Sequence, residues 1–449
     1  MSMKRTNQIG LAWILLASGI SILWGSSLAQ KANGWWDFKA IYYGTRCLLE
    51  NHNPYRQAEL ETVYRVEGGE SPSEPIPSHQ AVTLYVNLPT TFIVIAPFAM
   101  LPWGPAHVLW MILIAGGYIL AGLLMWNLAA NYAPRLSLFL ICILLANCQM
   151  VFYGGNAAGI VTNLCVVAVW CFFRDRFALA GVLCLAIGLA LKPHDAGLVW
   201  LFFLLAGGVY RKRALQTLLI TAVLGLAAFL WVSSVAPHWI EDWNSNMSAI
   251  SAPGGINEPG PNSITSHEPG VVIDLQAAIS IVRDDPRIYN PISYLVCGAL
   301  LLLWAVRALR SRFSPRSAWL GLAVAATLTM LVTYHRPWDA KLLLLTVPAC
   351  ALLWAEGGPI RWMALVVNAA GLLSTADIPL VILSVSSRGL HPGAEGILGK
   401  MLAVVQLRPT PLILLAMGIF YLWVYLRRPR ASSAESGGFA QDSSAPANV

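Results

Sequence analysis

Along the 449-residue chain, apolar residues gather into long runs separated by short polar, Pro- or Gly-bearing breaks. A helix needs roughly 17 to 25 predominantly apolar residues to cross a bilayer. On that measure spans are expected at 9–29, 105–129, 136–152, 157–173, 177–191, 194–209, 214–235, 290–308, 317–334, 340–355, 361–377 and 410–427. The pattern is that of an all-α integral membrane protein, a polytopic bundle of about twelve transmembrane helices.

The run from Val82 to Leu101 is the exception. Pro89, Pro97 and Pro102 argue against an uninterrupted helix there. A full span would also push Arg174, Arg176 and Arg211 to Arg213 to the outer side, against the rule that basic residues stay inside. We therefore read Asn87 to Leu101 as a re-entrant or interfacial segment. Lys4 and Arg5, Arg135, Arg174 and Arg176, Arg211 to Arg213, the arginines at 307, 310, 312 and 316, Arg361, and those at 427, 428 and 430 then all fall inside.

The chain divides accordingly. Residues 1–29 hold the cytoplasmic N-terminus and first span, read as a retained signal anchor because its apolar run exceeds a signal-peptide core. Residues 30–104 form the first outer loop, 105–235 core helices, 236–289 a long outer loop, 290–427 the C-terminal helices, and 428–449 a Ser-, Ala- and Gly-rich cytoplasmic tail expected to be disordered. A third outer region, 378–409, contains an apolar stretch that also suits re-entry.

Composition narrows the class. With 57% hydrophobic and 11% charged residues, the chain lacks the polar side chain to cover a soluble globule of this length. The net charge of +7 sits in short groups between spans, so it marks topology and not a nucleic-acid surface. Seven of eight Cys lie in apolar segments and Cys47 in a loop, giving neither a disulfide framework nor a metal-binding pair. All eight His fall on or near the outer side, so chemistry is expected to be extracytoplasmic, at the cell membrane.

Candidate chemistry follows from that sidedness. Asp37 comes directly after Trp35 and Trp36, residues of the type that anchor at the membrane–water boundary, and so puts a carboxylate at the lipid surface. Asp is equally a favoured helix N-cap, and Phe38, Ile41, Tyr42, Thr45, Leu48 and Leu49 recur behind it at helical spacing to about Glu50. Lys192-Pro193 breaks a long apolar run and sets a cation where a lipid phosphate would lie; a snorkelling Lys at a plain hairpin is the alternative. His194 and Asp195 follow, able to orient that Lys or a phosphate, with Asp195 alternatively a helix cap.

In the turn His335-Arg336-Pro337-Trp338-Asp339, two potential cations beside a Trp suit an anionic ligand carrying a sugar or lipid, and also serve as plain interfacial anchors. Gly154-Gly155-Asn156 allows close backbone approach and offers an amide to a hydroxylated ligand, or is a tight hairpin. His79 and Asn87 complete the candidates for substrate contact. The Pro- and Gly-rich loop 253–270, with His267 and Glu268, reads as a lid or a connection.

The order of these features resembles the GT-C glycosyltransferases, most closely glycosyltransferase family 87, the polyprenyl-phosphate-mannose-dependent mannosyltransferases. The residues that carry the resemblance are Trp36-Asp37-Phe38 with Tyr42-Tyr43 and Asn53-Pro54-Tyr55, then Asn87-Leu88-Pro89 to Leu101-Pro102, an outer turn after the third span, Gly188 to Pro193, the loop after the seventh span, and the His335 turn. It implies a GT-C-like helical bundle, a lipid-phosphate sugar donor and Asp37 as catalytic base. The family often shows Pro-Pro where this chain has Leu88-Pro89, and Gly-Gln where it has Gly154-Gly155.

The expected mechanism needs one carboxylate, because the leaving phosphate requires no protonation. Asp37 would deprotonate an acceptor hydroxyl as it attacks the anomeric carbon with inversion, while Lys192, His335 and Arg336 stabilise the charge on the departing phosphate. Partners are then a polyprenyl-phosphate sugar, a glycolipid or glycan acceptor, and membrane lipid, with no nucleic acid. No carboxylate cluster of metal-ligand character stands out, so no obligatory metal is expected, with Asp37 and His79 or Asp339 left as a weak alternative site. A secondary transporter or lipid flippase, and a surface-polysaccharide ligase or polymerase, are the alternatives; for ion coupling Asp377 is the nearest candidate.

Overall fold

The computed structural model describes residues 3–32, 34–67, 82–261, 263, 271–387 and 396–427. Its helices are α1 (Met3–Lys31), α2 (Trp36–Leu49), α3 (Gln57–Val66), α4 (Thr90–Ala99), α5 (Trp103–Ala129), α6 (Pro134–Leu145), α7 (Gln149–Gly154), α8 (Ala157–Arg174), α9 (Ala178–Leu191) and α10 (Pro193–Ala206). They continue with α11 (Gly208–Val235), α12 (Trp239–Ser251), α13 (Leu275–Val282), α14 (Pro286–Arg310) and α15 (Pro315–Val332). After a 3-10 helix (Asp339–Thr346) come α16 (Val347–Glu356), α17 (Ile360–Ser374), α18 (Asp377–Ser387), α19 (Ile397–Leu407) and α20 (Pro409–Leu426). No strand occurs among the described residues. His79, His267, Glu268 and the C-terminal tail lie outside them.

Among the described residues, eight helices are long and apolar enough to cross a membrane, or nine if α17 and α18, bent by 67° at their junction, count as one span. The protein is thus a polytopic helical membrane protein, and the expected twelve are not all met by length. The differences have local causes. Pro193 splits α9 from α10, leaving 14 residues in each, about 21 Å of helix against a hydrocarbon core of about 30 Å. The expected span 340–355 begins as a 3-10 helix before α16. The re-entrant stretch becomes α4, ten residues long with Pro97 inside it.

Burial sorts the long helices into inner and outer. In α8 and α15 the most apolar stretch is 72% and 78% buried within the protein, whereas in α11 and α14 it is 11% and 22%. Leu219, Val223, Leu226 and Leu230 of α11 are exposed, a face suited to lipid in a helix of this length and hydropathy. The site hangs from the inner pair.

Breaks inside the bundle leave backbone groups that need partners where water is excluded. Between α6 and α7, Ser21 of α1 donates to the Leu145 carbonyl at 2.6 Å and accepts from the Cys148 amide at 3.0 Å. Lys341 takes the Asn147 carbonyl at 2.7 Å. Lys341 also donates to the Thr375 carbonyl and to Asp377, both at 2.9 Å, and Asp377 in turn accepts from the Met150 amide at 2.7 Å. This buried ion pair pins the α17–α18 bend to the α6–α7 break.

The basic groups gather at one end of the bundle. Arg213 pairs with Asp175, Arg174 bonds Asn127, Arg316 pairs with Glu356, Arg307 bonds the Tyr425 carbonyl, and Phe173 packs on Phe313. Asn156, Lys192 and His335 belong to the other end. Each stands across a helix from a basic group: α8 runs from Asn156 to Arg174, α9 from just past Arg176 to Lys192, and α15 from Arg316 to just before His335. Along α8 that separation is about 27 Å.

Candidate active site

Four chain segments build the site. The first is the start of α2. Asp37 does not cap this helix: the helix opens at Trp36, Trp35 holds the cap position, and Asp37 sits in the first turn, where an acid is favoured by the helix dipole. Trp35 adopts a left-handed backbone, φ 61°, which costs a non-Gly residue about 1–2 kcal/mol. It is held by a 2.7 Å bond from its amide to the Tyr153 carbonyl and by its ring against His107, centroids 4.1 Å apart.

The second segment is the turn from α7 to α8. Gly155 is left-handed, and the Asn156 that follows caps α8 by accepting from the Ala158 amide at 2.8 Å. The amide nitrogen of Asn156 donates to Oδ2 of Asp37, also at 2.8 Å. A Cβ at Gly154 would lie 2.9 Å from that same carboxylate oxygen. The Gly154-Gly155-Asn156 turn therefore exists in this form because an acid from a distant loop must fit against it.

The third and fourth segments are the tip between α9 and α10 and the turn after α15, which pair with each other. Lys192 donates to Oδ1 of Asp339 and lies 3.4 Å from Oδ2 of Asp195. Asp339 accepts the Arg336 amide through its other oxygen at 2.7 Å. His335 Nδ1 bonds the Thr333 carbonyl at 2.8 Å, and its Nε2 faces Oδ1 of Asp195 at 3.2 Å. Asp195, His335 and Asp339 are all essentially fully buried, while His194 is exposed.

Arg336 is gripped on several sides. Its guanidinium donates to the Tyr334 hydroxyl, the Ile256 carbonyl and Asn257, and stacks over the rings of Tyr334 and Trp338 at 5.4 and 5.3 Å. Trp338 is buried, with Arg336 over its ring, and so helps to orient the arginine. Asn87 lies apart in its bonding: its carbonyl takes the Tyr55 hydroxyl. Tyr334, Asn257 and Ile256 were not singled out from the sequence; a Tyr next to the His335 turn and a loop rich in Pro and Gly were the only available signals.

Electrostatics joins the segments. Burial raises the pKa of Asp37 above the ordinary carboxylate value, more than the Asn156 hydrogen bond and the charges of Lys192 and Arg336 pull it back. Burial works against charge on Lys192, but Asp195 and Asp339 outweigh it and keep the ammonium protonated. Burial likewise disfavours charged His335, and Asp195 more than offsets it, so that pKa is raised. The arrangement is one partly exposed carboxylate in the field of two fixed cations, able to take a proton beside a site that attracts negative charge.

Comparison with known proteins gives one result. The family model of glycosyltransferase family 87 matches residues 85–334, a little over half of the chain. The match includes Asn87, Asn156, Lys192, His194 and Asp195, and stops short of Asp37 on one side and of His335, Arg336, Trp338 and Asp339 on the other. Neither the curated proteins nor the solved structures yield a match. A helical membrane bundle, with an acid facing fixed cations at the end away from its basic rim, agrees with the match, and the chain belongs to glycosyltransferase family 87.

Proposed function

We propose that this glycosyltransferase moves a sugar, mannose in our reading, from a polyprenyl-phosphate donor to a lipid-linked or cell-envelope glycan acceptor, with inversion, at the extracytoplasmic face of the cell membrane. The observation that carries the reading is the placement of Asp37 against Asn156 and within the field of Lys192 and Arg336. Asp37 takes the proton from the acceptor hydroxyl. The oxygen bonds to the anomeric carbon, the bond from that carbon to the phosphate oxygen breaks, and its electrons stay on the phosphate. Lys192, His335 and Arg336 favour that departing charge, each fixed by neighbours so that little reorganisation is needed.

Sidedness is supported by the distribution of cations. The site and the arginine-rich rim occupy opposite ends of α8, α9 and α15, and basic residues favour the cytoplasmic side. Asp377, the carboxylate nearest to an ion-coupling role, is paired with Lys341 and the Met150 amide, which favours a structural role for it over ion coupling.

The test is to incubate membranes containing the protein with radiolabelled polyprenyl-phosphate mannose and, separately, a lipid-diphosphate sugar, then extract lipids and glycans. Label incorporated from the monophosphate supports the proposal. Incorporation only from the diphosphate would replace it with a ligase or polymerase.

A further inference from the structure

We infer that His194, Asp195 and His335 form a binding site for a divalent transition-metal ion with zinc-like ligand preference. Their ligand atoms all lie within 4.8 Å of one another. Oδ1 of Asp195 faces Nε2 of His335 at 3.2 Å and Nε2 of His194 at 3.8 Å. Ligands about 2.0–2.1 Å from a tetrahedral zinc stand about 3.3 Å apart, so the two Asp195–His spacings are near that value and closing around an ion chiefly requires the exposed His194 ring to turn inward.

A second observation makes this more than a cluster. Asp195 is 1% exposed and His335 0%, yet both carboxylate oxygens and His335 Nε2 lack a hydrogen bond of good geometry. What they have instead are ion-pair contacts with each other and with Lys192, and polar groups buried short of hydrogen bonds are costly. With Nδ1 held by the Thr333 carbonyl, His335 points Nε2 at Asp195; the proton shared there without metal gives way to an ion, and the ring then has the backbone-oriented pose of a metal-ligating imidazole. Either a proton or a cation must lie between those two atoms.

The charges allow the cation. Lys192 approaches the other oxygen, Oδ2, and its own charge is balanced by Asp339. With that shared proton displaced, two imidazoles and the Asp195 carboxylate make a donor set suited to zinc and its neighbours, not to calcium or magnesium. The expectation of no metal rested on carboxylate spacing along the chain, whereas the fold brings two imidazoles to one carboxylate from α10 and from the turn after α15. The site stands on its own geometry; a role for its ion in holding a donor phosphate rests on the function proposed above.

The test uses the full-length protein in detergent, without a polyhistidine tag and stripped with chelator, in the absence of any sugar donor. Zinc is titrated calorimetrically, cobalt is followed by its visible ligand-field absorption, and bound metal is counted by elemental analysis. We expect one ion per chain, a tetrahedral cobalt spectrum and a thermal midpoint raised by zinc. His194→Ala, at an exposed position, should weaken binding at least about tenfold without lowering the metal-free midpoint, and His335→Gln should abolish it. Less than stoichiometric metal in the parent protein, or equal affinity in the His194→Ala, His335→Gln double variant, overturns the inference, whatever the outcome of transfer assays.

Discussion

The Asn156 side chain reaches across 119 residues of sequence to donate a 2.8 Å hydrogen bond to Asp37 while capping α8 with its oxygen. A hydrogen bond to a charged group is worth about 1.5–3 kcal/mol, so Asn156→Ala should slow transfer about ten- to a hundredfold. Asn156→Asp keeps the cap but turns a second carboxylate toward Asp37. It should shift the acid limb of the pH–rate profile upward, a change that simple unfolding would not produce.

The raised pKa of Asp37 fixes the sign of two pH effects. As a base it must be ionised, so activity should fall on acidification through a value above the ordinary carboxylate range of about 4. For stability the sign is opposite. A carboxyl whose folded pKa is raised contributes stability below its unfolded pKa, and that contribution is lost as pH rises through the folded value. Asp37→Asn should therefore unfold at a higher temperature than the parent near about pH 8, with the difference vanishing near about pH 4.

Gly154 is the residue against which the Asp37 carboxylate rests, a Cβ there lying 2.9 Å from Oδ2. Gly154→Ala should displace the acid by a fraction of an ångström to an ångström and cut transfer by up to about a hundredfold. Expression and thermal midpoint should change little, since α7 already ends there. Unchanged transfer in that variant would mean that the carboxylate does not act from this position.

Lys341 and Asp377 are each about 2% exposed and have satisfied partners. Removing one member strands the other, at a cost of about 3–5 kcal/mol. Asp377→Ala should lower the thermal midpoint in detergent sharply. The Lys341→Met, Asp377→Leu double variant should be the milder of the two, since it leaves no buried charge unpaired.

Local signals explain which parts of this structure could be read in advance. The long apolar runs gave the helices because lipid-facing and core-facing residues are equally apolar. Pro193 announced the break at Lys192, and the Trp pair announced Asp37. The α6–α7 break carries no Pro or Gly, being held open by Ser21 and Lys341 from elsewhere. That contact between distant segments leaves no local periodicity. The same holds for the partner of Asp377, for the 3-10 start at Asp339, and for the meeting of His194 and Asp195 with His335. Asp37 looked like a cap in sequence because capping needs only local neighbours, whereas its actual partner is far along the chain.

The central claim is that Asp37 is the base of sugar transfer, and labelled transfer from polyprenyl-phosphate mannose tests it directly. Membranes carrying equal amounts of the parent protein and of Asp37→Asn are compared under the same donor and acceptor conditions. A general base contributes about 10²–10⁴-fold. The account predicts a loss of at least about a hundredfold in the variant, whereas near-parental turnover would contradict it.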